Sequence, residues 1–118
     1  MISITIPIKA ISKDNEKIFN RQGRPFTSKK YKDFEKVLRA HMIAQLPKHF
    51  TVVEKEGIEV SIYACFKNKV RCDLGNIPKG ILDAGNGVLW KDDKLITSLH
   101  SYIQYGKEGI IIYFNEIV

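Results

Sequence analysis

The residues best suited to chemistry in this 118-residue chain are aspartates in its second half. Asp73 follows a basic run, Asp83 comes ten residues later, and Asp92-Asp93 follow the turn Asn86-Gly87-Val88. Carboxylates at a strand end and after a neighbouring turn can converge on a hard divalent cation. Mg²⁺ is satisfied by two or three of them because it keeps several waters. Such an ion polarises a phosphoryl oxygen and lowers the pKa of an attacking water, and a second ion stabilises the leaving oxygen. Lys67, Lys69 and Arg71, just ahead of Asp73, supply charge to hold a phosphate backbone beside the cluster. Asp-Asp after a glycine turn is also ordinary punctuation at a strand entry. Spacing alone therefore reaches a basic domain with nucleic acid as one candidate partner, and stops there.

The order of residues narrows the choice. Asp73-Leu74-Gly75-Asn76, Lys79, Asp83-Ala84 and then Trp90-Lys91-Asp92-Asp93 resemble the signature of RusA-type Holliday junction resolvases. That pattern is Asp-x-Asp-Asn, a Lys three residues after the Asn, an Asp-Ala pair, and a short turn ending in an aromatic or Leu and Asp-Asp. The likeness is specific over residues 66–97; elsewhere it is an agreement of length and element order. Carried over by position, it implies that Asp73 and Asp93 are metal-ligating catalytic carboxylates, with Asp92 a further ligand candidate. It implies that Lys79 is a catalytic or phosphate-contacting lysine near the scissile bond. It also implies Mg²⁺ as cofactor with Mn²⁺ as substitute, four-way junction DNA as substrate, and a homodimer whose two-fold symmetry suits paired nicks.

One position departs from the pattern. The family's second aspartate is Gly75 here, which supplies no ligand, and the neighbouring Asn76 amide holds Mg²⁺ less well than a carboxylate. Losing one catalytic carboxylate costs on the order of 3–5 kcal/mol of barrier. The expectation is a junction endonuclease with impaired hydrolysis. The alternative, from another class, is a non-catalytic branched-DNA-binding protein of the same fold, and Gly75 is the feature favouring it. A basic structural protein with an accidental match is the third reading.

These residues need elements to position them. Ile2, Ile4, Ile6 and Ile8 alternate with polar residues and Pro7, giving a half-buried strand ending near Pro7. Ile8 to Thr27 reads as a long loop carrying Arg21 and Arg24, suited equally to a nucleic-acid-contacting arm and to a solvated connection. Thr27 or Ser28 can cap a helix running to about Leu46 and stopped by Pro47, with Tyr31, Phe34, Val37, Leu38, Met42 and Leu46 as its buried stripe. His41 falls at the stripe's edge, a core-edge histidine rather than a ligand. Ile58 to Phe66 alternates most cleanly and predicts a strand with one buried face.

Leu74 to Ala84 is a second helix with Ile77, Ile81 and Leu82 inward. Gly80 and Gly85 weaken it by roughly 1 kcal/mol each against Ala, and Gly85-Asn86-Gly87 reads as its exit and turn. Leu95 to Tyr102 and Ile110 to Phe114 predict a hairpin across Tyr105–Gly109. Trp90 reads first as a core or dimer-interface residue and second as a base-stacking one. The sum is an α+β fold, a mixed β-sheet with two helices packed on it, as one RusA-like domain over residues 1–118.

Bulk properties agree. The formal charge is +6, and residues 1–50 carry eleven Lys+Arg against four Asp+Glu, net +7, while the remainder has eight against nine, net −1. A basic N-terminal half is the footprint of a phosphate-backbone binder, shared with ribosomal and membrane-surface domains. The DNA-contact candidates are Lys67, Lys69 and Arg71, with Arg21 and Arg24 behind them. Cys65 and Cys72 have neither a disulfide framework nor zinc-ligand spacing around them and read as free thiols. No run is apolar enough to span a bilayer, and the start alternates like a strand rather than a signal peptide, so the expected location is cytoplasmic.

Overall fold

The computed structural model describes residues 1–11, 17–19, 25–69 and 75–117. Among them, the elements are β1 (Ile2–Ile6), β2 (Lys17–Phe19), β3 (Pro25–Thr27), α1 (Lys29–Gln45), β4 (Ile58–Phe66), α2 (Asn76–Gly85), β5 (Ile96–Tyr105) and β6 (Gly109–Glu116). Four strands form one mixed sheet in the order β1-β6-β4-β5, with β4 parallel to β5 and antiparallel to β6. The α+β class with two helices on a mixed sheet is the one the sequence predicts.

The alternation of β4 sends Ile58, Val60, Ile62, Ala64 and Phe66 to one buried face. In register beside them lie Ile110, Ile112 and Phe114 of β6, then Ile4 and Ile6 of β1. Helix α1 covers this face with Tyr31, Phe34, Leu38 and Met42, and α2 with Ile77, Ile81 and Ala84. Fully burying one such large side chain contributes roughly 1.5–3 kcal/mol, so this shared face fixes both helices on the sheet. Ser28 caps α1 by accepting the Tyr31 N–H at 3.2 Å. The helix ends at Leu46, whose extended backbone (ψ 146°) is what a following proline demands. The apolar stripe is narrower than the spacing implies, because Val37 is 39% exposed.

Two expectations need correction. The segment expected as one long loop contains the short antiparallel pair β2–β3; the pair is three residues a side, too short to show a period of its own. Strands β5 and β6 do not form a hairpin: β4 lies between them, pairing with both. The connection from 106 to 108 instead steps over the end of β4, anchored by the Gly106 N–H donating to the Phe66 carbonyl at 2.9 Å. Gly106 takes φ +133° there, open to glycine alone at little cost. A short Gly-containing link looks the same in sequence whether it joins neighbours or straddles a third strand.

Candidate active site

Helix α2 presents two faces. Ile77, Ile81 and Ala84 are buried in the core, while Gly75, Lys79 and Asp83, four residues apart, run as a row along the other side. Gly75 stands at the N-cap and Asp83 in the last turn, eight residues or ~12 Å apart along the axis. Lys79 is exposed and Asp83 half-buried.

The turn after α2 returns two more carboxylates to that last turn. The Asn86 N–H bonds the Asp83 carbonyl at 3.2 Å, Gly87 takes φ +80°, and the Gly87 N–H reaches the Trp90 carbonyl at 2.7 Å. Trp90 is fully buried, packs edge-on against Phe114 at 5.6 Å, and donates its indole N–H to Asn86 Oδ1 at 3.0 Å. A Cβ at Gly85 would sit 2.7 Å from Trp90 Cζ2, so the ring occupies the space any larger residue would fill. Lys91 and Leu89 then bond Val53 on both sides, fixing the segment against the chain before β4. Gly80 has a similar role, since a Cβ there would fall 1.6 Å from the Tyr31 hydroxyl of α1. The two glycines that look like weak helix formers are close-packing positions, Gly80 for the α1–α2 contact and Gly85 for Trp90.

Beyond this lock, Asp92 Oδ1 accepts the Lys94 N–H at 2.9 Å and caps a 3-10 turn, Asp93–Leu95, that leads into β5. That bond holds the Asp92 carboxyl below its ordinary range, helped by a hydrogen bond with Asp93. The Asp93 carboxyl is pushed the other way, first by burial, then by the shared hydrogen bond and by the charges of Asp92 and Asp83. Two carboxyls can share a hydrogen bond only while one keeps a proton, and a divalent cation would take that proton's place. The strand-entry reading thus describes Asp92, while Asp93 faces a second acidic group across the turn.

The sequence-derived site residues fall into three groups. Asp92, Asp93 and the unassigned Asp83 come together; Lys79 lies one helical turn from Asp83. Lys67 and Lys69 are exposed just past β4, where Lys67 lines a cleft with Lys9, Asn68 and Glu108. Asp73, Arg71, Arg21, Arg24 and Cys72 lie outside the described residues. Cys65 is a free, half-buried thiol. The contribution of Asp83 was missed because an Asp-Ala pair in a helix carries no sign of which end of the next turn it will face. The largest surface cavity, about 520 Å³ and lined by Met1, Ile2, Phe50, Val53 and Phe114, holds none of these aspartates.

Residues 7–113 match the family model described as endodeoxyribonuclease RusA. The chain belongs to the RusA endodeoxyribonuclease family. A comparison with curated proteins gives no match. Family membership brings endonuclease action on DNA at the level of the family, and no helix among the described residues is long and apolar enough to cross a membrane.

Proposed function

We propose that this chain recognises four-way DNA junctions as a homodimer and hydrolyses their phosphodiester backbone with Mg²⁺, slowly because Gly75 replaces a carboxylate. The family match over residues 7–113 carries the reading. The donor chemistry suits a hard cation: Asp92 and Asp93 offer paired carboxyl oxygens, and Asp83 adds negative charge beside them. Among the described residues no three acidic, histidine or cysteine side chains converge closely enough to hold an ion by themselves, so the full ligand set draws on Asp73. Asp73, Asp93 and Asp92 would hold the ion; when bound it supplies an acidified water and a polarised phosphoryl oxygen.

The protein's own groups do the rest. Lys79, exposed on the row that leads to Asp83, neutralises a phosphate oxygen near the scissile bond. Lys67, Lys69 and Arg71, with Arg21 and Arg24, hold the flanking backbone and set the salt dependence of binding. The Gly85–Trp90–Asn86 lock keeps Asp92 and Asp93 in place against α2, so the carboxylates need no reorganisation when substrate arrives.

Competition binding to a synthetic four-way junction and a linear duplex of the same sequence, in Ca²⁺ to block hydrolysis, tests recognition. The expected result is a preference for the junction of at least about tenfold; equal binding overturns the reading. Thermal denaturation with Mn²⁺ separates the alternative, a non-catalytic branched-DNA binder suggested by Gly75. A metal-dependent rise in Tm supports a retained metal site; junction binding with no metal response supports the alternative.

A further inference from the structure

The two edges of the sheet are treated differently. Strand β1, at one edge, is five residues long and runs into Pro7. Its outward backbone groups are taken up by α1: the Thr5 N–H donates to Gln45 Oε1 at 2.9 Å, and Gln45 Nε2 donates to the Thr5 carbonyl at 2.8 Å. The Gln45 amide thus occupies the place of a further strand. Proteins close sheet edges with such devices because an open edge pairs with any strand that reaches it.

Strand β5, at the other edge, has none of them. It is ten residues long, Ile-Thr-Ser-Leu-His-Ser-Tyr-Ile-Gln-Tyr, without Lys, Arg, Pro, Gly or an acidic residue. Among the described residues it pairs with β4 alone. Leu99, Tyr102 and Tyr105 are each 43–52% exposed along it, three of the seven large hydrophobic residues so exposed among the described residues. An unblocked backbone edge flanked by apolar side chains on both faces selects another β-strand as its partner.

We infer that the β5 edge is where two copies of this chain join, strand to strand, into one continuous eight-stranded sheet. The inference rests on the homodimer reading and names its interface. A two-fold axis perpendicular to the sheet makes the two identical strands antiparallel. Centring it on Ser101 sets Leu99 opposite the partner's Ile103 and His100 opposite the partner's Tyr102. Centring it on His100 would instead set two imidazoles face to face and Leu99 against serine. Apolar and aromatic cross-strand pairs favour the Ser101 register.

The test is cysteine cross-linking with light scattering on the full chain, with Cys65→Ser and Cys72→Ser as background. Residues on the axis of an antiparallel pair have Cα atoms about 4.5–5.5 Å apart, within disulfide range. Ser101→Cys is expected to give a covalent dimer under mild oxidation. Thr97→Cys, whose copies would lie ~27 Å apart, is expected to give none. Leu99→Lys is expected to weaken dimerisation at least about tenfold with far-UV circular dichroism unchanged. A dimer that forms without the Ser101 cross-link and ignores Leu99→Lys overturns this interface while leaving the homodimer standing. A monomer at micromolar concentration overturns both.

Discussion

Replacing Gly85 by alanine tests whether the Trp90 lock positions the acidic cluster. Helix propensity alone makes Gly85→Ala stabilising by up to about 1 kcal/mol, less at a helix end. The structure reverses the sign. The new methyl would stand 2.7 Å from Cζ2 and 3.0 Å from Cε2 of a fully buried ring. That ring is hemmed in on its other side by Phe114 and tied through its N–H to Asn86. Overpacking a core costs about 1–3 kcal/mol, and loosening the indole hydrogen bond adds about 1 kcal/mol. The net expectation is a loss of ~1–3 kcal/mol. At about 2.1 cal/mol/K per residue, unfolding entropy is roughly 0.25 kcal/mol/K for a chain this long, so Tm should fall by ~4–12 °C. Trp90 is the sole tryptophan, so its emission reports the lock directly and should shift to the red. Coupling is checked with Trp90→Phe, whose smaller ring leaves room for the methyl; the double variant should lose less than the two single losses together. An unchanged or raised Tm for Gly85→Ala, with unshifted emission, would refute the role given to this contact.

Gly80→Ala should also destabilise, by ~1–2 kcal/mol, through the clash with Tyr31; adding Tyr31→Phe, which removes the nearest atom, should recover part of the loss in a denaturant melt. Asp93 titrates above its unfolded value, so its contribution to stability is complete below the unfolded pKa and is lost as pH rises through the folded one. Metal-free protein at pH 7 therefore carries an unrelieved repulsion, and Asp93→Asn in chelator should raise Tm slightly, by no more than ~1 kcal/mol after solvent screening. The same variant should abolish any Mn²⁺-dependent rise; a full metal response in it would remove Asp93 from the ligand set. Lys67→Ala and Lys69→Ala should each weaken junction binding and flatten its log–log salt dependence by about one unit; an unchanged slope would mean they do not touch phosphate.

Much of the frame was legible because it follows from periodicity. The β4 alternation, the Ser28 cap and the Pro47 stop each express a local rule, and the structure keeps all three. What escaped was nonlocal. Whether β5 meets β6 or straddles β4 depends on which strand has already claimed the middle of the sheet, and a three-residue link does not encode that. The glycines were misread for a related reason: propensity measures an isolated helix, while Gly80 and Gly85 answer to Tyr31 and Trp90 on other segments. Within the site, the pairing of Asp92 with Asp93 followed from adjacency. The approach of Asp83 required the whole turn from Asn86 to Trp90 to be folded.

Gly75 is where site chemistry and backbone can be separated. Its φ of −77° and ψ of −25° lie in the right-handed region open to any L-residue, unlike Gly57, Gly87 and Gly106, which take positive φ. The backbone therefore does not demand glycine, and an aspartate at this helix N-terminus would sit favourably against the dipole. The decisive measurement is cleavage of a labelled four-way junction and a matched duplex with Mg²⁺, by this chain and by its Gly75→Asp variant. The expected result is that both bind the junction and that the variant cuts it at least about a hundredfold faster, leaving the duplex intact. If Gly75→Asp binds the junction, keeps its fold and still cuts no faster than the parent, the missing carboxylate is not what limits this site and the proposed chemistry is wrong.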